Sequence, residues 1–224
     1  MQTLHRKVST GLIAALAAAI FFAWLARAVM DGSLAWFDVA VRGFIHSWAT
    51  PMLTFAMQSI TQLGSFYVLV ILGLIASWRL ASRRRVRAAV ILATSALGAD
   101  AFDQLLKSIF RRPRPEAFFG HSPASYSFPS GHSVESCCFY GVLAAIVAAN
   151  TRSRRRRIGI WTVAALITLA VGCSRIYLGV HYPTDVLGGY TAAVFWVSLV
   201  WTAYQLWRHK RDGPIPIAAS DSAG

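Results

Sequence analysis

Residues 107–115 read Lys107-Ser108-Ile109-Phe110-Arg111-Arg112-Pro113-Arg114-Pro115 and close an apolar run that begins near residue 88. Two other stretches share this form, with polar residues suited to phosphate at the end of an apolar segment. One is Pro129-Ser130-Gly131-His132, at the mouth of the run 131–150. The other is Ser174-Arg175, followed by His181 and Asp185. Together they supply two histidines, three motif cations (Lys107, Arg114 and Arg175) and a carboxylate. That inventory can move a phosphoryl group without a metal. The remainder of the chain is lipid-soluble, so the phosphate is expected on a lipid.

Working outward, the 224-residue chain is 56% hydrophobic, and its apolar runs recur at the membrane-spanning length of roughly 20 residues. Six are predicted: 11–30, 52–77, 88–110, 131–150, 158–174 and 185–207. The fifth is short, and the third carries Asp100, Asp103 and Lys107. The expected fold is all-α, a polytopic membrane protein with six transmembrane helices. It forms one domain over 1–212, and 213–224 is a disordered cytoplasmic tail.

A net charge of +13 raises nucleic acid as a partner, but the distribution argues against it. Basic residues cluster at Arg6-Lys7, at Arg79 with Arg83 to Arg85 and Arg87, at Arg152 with Arg154 to Arg157, and at Arg208, Lys210 and Arg211. Every cluster falls on one side of a six-span frame. The positive-inside rule makes that side the cytoplasm and puts both termini there. Trp36 and Trp48 flank the outer side, and Trp78, Trp161 and Trp207 the inner side, as interfacial belts do. Trp24 and Trp196 fall inside spans and are read as packing residues.

The N-terminal run resembles a signal peptide up to Ala26-Arg27-Ala28, but the arginine and the length of the run weigh against cleavage. Cys137, Cys138 and Cys173 lie in spans and read as buried small apolar residues, with no disulfide and no metal-ligand spacing. Residues 31–51 place Trp36, Phe37, Val41, Phe44, Ile45 and Trp48 at helical spacing, which predicts an amphipathic helix on the outer surface.

Alternating six spans from an inner N-terminus puts the 111–130 loop and the 175–184 turn on the outer side. All three motifs then converge on one face. Ser130 is a suitable N-cap, and Gly131 lets a ligand approach the free amides of the first helical turn. His132 can protonate a leaving alkoxide. His181 precedes Pro183 at a helix start. Asp185, four residues on, can hold its Nδ1 proton and leave Nε2 free to attack. Lys107, Arg114 and Arg175 are cations for the three equatorial oxygens of a phosphoryl transition state. Taken singly, each also has an ordinary reading: a helix cap, a dipole-favouring aspartate, a snorkelling lysine. Arg111 and Arg112 are read as lipid-headgroup contacts. Asp103 is the expected helix partner of Lys107. Asp100 is left to face a polar cavity, and Glu135 is a candidate supporting group.

Taken together these residues resemble the type 2 phosphatidic acid phosphatase superfamily. Its pattern is Lys, six residues, Arg-Pro; then Pro-Ser-Gly-His; then Ser-Arg, five residues, His, three residues, Asp. Lys107 with Arg114-Pro115, Pro129 to His132, and Ser174-Arg175 with His181 and Asp185 match it without departure. The motif core is 107–185, and the six spans are similar to the bacterial integral-membrane branch. The resemblance implies His181 as a nucleophile forming a phosphohistidine, His132 as proton donor and Asp185 as orienter of His181. Lys107, Arg114, Ser130, Gly131 and Arg175 hold the phosphate. It implies no metal, no cofactor, and a lipid phosphate or diphosphate as substrate. Undecaprenyl diphosphate, phosphatidylglycerophosphate, phosphatidate and modified lipid A headgroups are the candidates. The expected location is a bacterial plasma membrane. A lipid phosphotransferase of the same fold shares the motif, and a non-catalytic membrane binding or transport protein is the alternative from another class.

Overall fold

The computed structural model describes residues 2–212, and the expected tail lies outside them. Among the described residues there are eight helices and no strand. They are α1 (Gln2–Met30), α2 (Ala35–His46), α3 (Pro51–Gln62), α4 (Phe66–Ser82), α5 (Val86–Phe110), α6 (Gly131–Ala148), α7 (Arg154–Tyr177) and α8 (Pro183–Asp212). Helix α6 packs on α5, α7 and α8, while α1 lies along α8, α4 along α5 and α3 against α7. Leu92, Phe139 and Val142 anchor one apolar core; Ala99, Leu106, Val134 and Ala193 anchor a second.

The polarity of the bundle is that of a protein in lipid. Leu16, Ile20, Leu97, Leu105, Leu166 and Leu169 face outward, whereas Ser95, Asp103, Ser133, Ser136, Thr168 and Gln205 are buried. In a hydrocarbon solvent exposed leucines cost nothing, and polar side chains must find partners inside. Among the described residues five helices are long and apolar enough to cross a membrane, and the pair α3 and α4 makes a sixth if counted as one span.

The expected span 52–77 is therefore corrected. It is two helices bent by 48° at Leu63-Gly64-Ser65. The cause is local. A Cβ on Gly64 would collide with Val171 and would approach His132 to 3.4 Å. The backbone breaks where only glycine fits, and the Leu63 carbonyl accepts from the Tyr140 hydroxyl at 2.9 Å. A kink at glycine with its carbonyl re-satisfied is the tolerated form inside a membrane. The fifth span is longer than expected. Ser153 accepts from the Arg156 amide, and Arg154 to Arg157 continue the helix. Arginine is a good helix former, so an apolar window underestimates such a helix.

Trp196 packs as expected, stacked on Phe102 and donating to the Ser95 carbonyl at 3.1 Å. Trp24 does not: it is exposed and meets Phe21 along the outer side of α1. The three cysteines are free, but Cys173 is exposed toward the surroundings of the bundle rather than buried. Helix α2 is amphipathic, with Trp36, Val39 and Phe44 exposed. Its inward side carries Asp38 and Arg42 as well as Phe37 and Val41.

Candidate active site

The three motifs meet at one end of the bundle. Helix α5 ends at Arg111, whose φ is +48° and whose amide donates to the Lys107 carbonyl at 3.0 Å. The chain after it is stiffened by Pro113 and Pro115. Helix α7 ends in a turn at Gly179, where φ is +78°. The Val180 amide returns to the Arg175 carbonyl at 3.2 Å, and His181 follows at the entrance to α8. The Ser130 amide donates to the Asp185 carbonyl at 2.9 Å, which ties the mouth of α6 to the first turn of α8.

His181 is buried. Its Nδ1 lies 3.4 Å from Asp185 Oδ2. That same Oδ2 accepts from the Ser127 hydroxyl at 2.5 Å and from the Tyr182 amide at 2.8 Å, while Oδ1 accepts from Arg112 Nη1 at 2.6 Å. On the far side of the ring, Nε2 is 2.9 Å from Arg114 Nη1. A guanidinium only donates, so Nε2 carries the lone pair and Nδ1 the proton. Burial is the main force pushing the His181 pKa down to about 3; Arg114 and Arg175 add to it and Asp185 opposes it. The ring is neutral near pH 7, with its lone pair directed at a cation.

The cations have distinct anchors. Lys107 pairs with Asp103 at 2.6 Å, as the four-residue spacing predicts. Arg114 is tethered by the Ser125 carbonyl at 2.7 Å, the Ser125 hydroxyl at 2.8 Å and the Val180 carbonyl at 2.9 Å. Burial lowers its pKa, partly offset by Asp185 and Asp103. Arg175 donates from Nη1 to Thr61 at 2.8 Å, and its buried Nε has no partner among the described residues. A buried donor without an acceptor is costly to leave so, and an anion in the site would supply one.

Gly131 is where the cradle closes. A Cβ there would lie 2.7 Å from Asp103 Oδ2 and 2.9 Å from Lys107 Nζ. Any side chain would therefore displace the ion pair, so glycine at this position keeps Lys107 at the mouth of α6. Ser130 occupies the N-cap position, but its side chain makes no capping bond. Its hydroxyl instead accepts from Ser133 at 3.1 Å. That corrects the expected cap: a hydroxyl one turn later takes the Ser130 oxygen, and the first-turn amides of α6 remain without a side-chain acceptor. His132, in that turn, is half-buried and backed by Gly64. Asp100 and Glu135 are half-buried in α5 and α6.

Arg112 is the main departure. Read as a headgroup contact, it is instead paired with Asp38 at 2.7 Å and with Asp185 at 2.6 Å, and it donates to the Thr184 hydroxyl at 2.8 Å. The Tyr182 ring lies 4.0 Å from its guanidinium carbon. Burial works against its charge, but Asp185 and Asp38 outweigh that and hold its pKa above the ordinary value. Arg111 does stay exposed, donating to the Ser108 carbonyl at 2.9 Å. Asp38, Ser127, Thr184 and Thr61 were not foreseen. Asp38 carried a signal, a carboxylate at an inward position of an amphipathic helix, which demands a cation. Ser127 and Thr61 carried none. Among the described residues no three His, Cys, Asp or Glu side chains gather as a metal-binding group.

Residues 88–209 match the PAP2 superfamily model. Phosphatidylglycerophosphatase B of Bacillus subtilis is 31% identical over 185 residues, covering 81% of this chain and 90% of its own. Undecaprenyl-diphosphatase BcrC of Bacillus subtilis is 31% identical over 163 residues, covering 69% of this chain and 76% of its own. The crystal structure of a transmembrane PAP2-type phosphatidylglycerolphosphate phosphatase from Bacillus subtilis superposes with a TM-score of 0.77 at 28% identity. That likeness covers 83% of this chain and 93% of the other. With the motifs intact at one end of a helical membrane bundle, this chain belongs to the PAP2 superfamily.

Proposed function

We propose that this protein is a metal-independent lipid phosphate phosphatase that works through a phosphohistidine on His181, with phosphatidylglycerophosphate as its foremost substrate. The observation that carries the reading is the setting of His181, a buried ring with Nδ1 facing Asp185 and Nε2 facing Arg114. The relatives named above support the lipid class.

In this mechanism the substrate phosphate replaces Arg114 as the partner of Nε2. Lys107, Arg114, Arg175 and the first-turn amides of α6 bind its oxygens. The Nε2 lone pair forms a bond to phosphorus as the P–O bond to the lipid breaks. Asp185 stabilises the positive charge that develops on the ring. His132, which a bound phosphate dianion favours in its protonated form, gives its proton to the departing oxygen. It then takes a proton from the water that attacks phosphohistidine, which releases phosphate and restores both rings. An alcohol in place of that water would make the enzyme a phosphotransferase.

The test is a panel of phosphatidylglycerophosphate, undecaprenyl diphosphate and phosphatidate on the purified protein in detergent, with products resolved. Free phosphate is expected, in excess chelator, with vanadate inhibiting. Activity lost on chelation and restored by a divalent ion contradicts the mechanism, and a phosphorylated acceptor identifies a transferase.

The need for His132 depends on the leaving group. A His132→Ala protein loses most activity on an alkyl lipid phosphate, by about 10²–10⁴-fold for a lost general acid. It keeps a much larger share on an aryl phosphate, whose phenolate leaves unprotonated. Equal losses on both substrates contradict the assignment. The one-sided arginine clusters support an outer-facing site in a bacterial plasma membrane with cytoplasmic termini. A reporter fused after Lys210 then reads the inner side and one inserted at Ser122 the outer side; the reverse at either point contradicts this orientation.

A further inference from the structure

We infer that Asp38, on the surface helix α2, is a positioning residue for phosphoryl transfer: by holding one end of Arg112 it keeps Asp185 Oδ2 available to His181. The inference rests on the histidine mechanism proposed above.

Helix α2 exposes Trp36, Val39 and Phe44, yet Asp38 is only 1% exposed. Its Oδ2 accepts from Arg112 Nη2 at 2.7 Å and from the Thr184 hydroxyl at 2.7 Å, and its Oδ1 accepts from the Thr184 amide at 3.0 Å. Arg112 is thus divided between two carboxylates. Nη2 goes to Asp38, while Nη1 goes to Asp185 Oδ1 at 2.6 Å and to the Thr184 hydroxyl at 2.8 Å. Tyr182 closes one face of the guanidinium.

The division matters because of what Arg112 would otherwise do. A guanidinium facing a lone carboxylate prefers the bidentate fork, one N–H to each oxygen. On Asp185 that fork would reach Oδ2, which already serves His181 Nδ1, the Ser127 hydroxyl and the Tyr182 amide. A second cationic donor there would compete with the imidazole N–H and weaken Asp185 as its acceptor. Asp38 prevents this by taking the other nitrogen. Its charge also balances Arg112, so the trio of Asp38, Arg112 and Asp185 keeps the negative charge that a developing imidazolium needs. A carboxylate serving only to pin α2 to the bundle could bond the Thr184 amide and hydroxyl without reaching Arg112. The shared guanidinium distinguishes the two roles.

The experiment compares the wild-type full chain in detergent with Asp38→Asn, Arg112→Lys and the double variant. It uses dioctanoyl phosphatidate as substrate, with vanadate and inorganic phosphate as two probes of the site. Vanadate reports nucleophile alignment because it bonds to the attacking nitrogen in five-coordinate form. Inorganic phosphate reports only the cationic cradle. Asp38→Asn is expected to lower kcat by about 100-fold, the scale of a nucleophile displaced by an ångström, with KM and phosphate inhibition changed by less than about threefold. Vanadate inhibition weakens in step with kcat. Arg112→Lys keeps the charge but cannot bridge, so it shows the same split and serves where Asp38→Asn does not fold. The double variant is no worse than the poorer single one, because both changes disable one device.

Vanadate and phosphate weakening together, kcat within about threefold of wild type in a folded Asp38→Asn protein, or losses that multiply in the double variant would each overturn the inference. A wild-type protein that releases no phosphate from lipid sinks the phosphatase reading separately. The vanadate and phosphate comparison, then read as direct binding, still decides the role of Asp38.

Discussion

A His181→Ala protein is expected to lose about 10⁶-fold in kcat, the scale of removing a nucleophile that acts as a unit with its partners, and to form no phosphoenzyme. The expectation follows from geometry. His181 is the buried ring whose Nδ1 proton faces a carboxylate and whose lone pair faces a cation. Alanine at this position leaves Lys107, Arg114 and Arg175 in place, so the variant still binds inorganic phosphate with little change. Retained turnover, or a phosphoenzyme still trapped in the variant, shows that another group attacks. The same state fixes the pH profile. Burial, with Arg114 and Arg175, pushes the His181 pKa down to about 3. The ring is therefore in its attacking, neutral form throughout the range from about pH 5 to 8. Because kcat/KM reports the free enzyme, it carries no His181 limb there and falls on this account only as the pH approaches 3.

The second large effect is Asp185→Asn, expected to lower kcat by about 10⁴-fold, as when a triad aspartate is neutralised and the imidazole tautomer is lost. The surroundings leave asparagine no good orientation. An NH2 at the Oδ2 position faces the Tyr182 amide and the His181 N–H, both donors. An NH2 at the Oδ1 position faces Arg112 Nη1, also a donor. Either choice leaves a buried donor unpaired, and Arg112 loses one of its two counter-charges. Phosphate binding, which relies on the other cations, changes little, so the loss is expected in kcat with KM nearly constant. A variant within about tenfold of wild type would mean that Asp185 is a helix-start aspartate and not the orienter of His181.

What was legible in the sequence follows from how far each signal reaches. Spans are read from contiguous apolar residues, and five of the six runs correspond to single helices. The second failed because a break depends on a contact across the bundle, Gly64 against Val171 and His132, which no local window contains. The pairing of Asp103 with Lys107 was readable because four residues on a helix is a fixed distance. Arg112 was misread for the opposite reason. Its partners stand 73 and 74 positions away, on α8 and α2. Beside Arg111 in the same Arg-Arg pair it has no local mark of turning inward. The three motifs show which residues gather at the site, but the tautomer of His181 depends on Ser127, Arg112 and Arg114 as folded neighbours.

The central claim is tested most directly by mixing the wild-type protein with lipid phosphate labelled in the phosphoryl group, in excess chelator. The reaction is quenched in alkali within one turnover and the labelled peptide mapped. The account predicts an acid-labile label on His181 that forms and decays at rates compatible with kcat. Label on any other residue, or a burst of free phosphate with nothing trapped at any time, would contradict it.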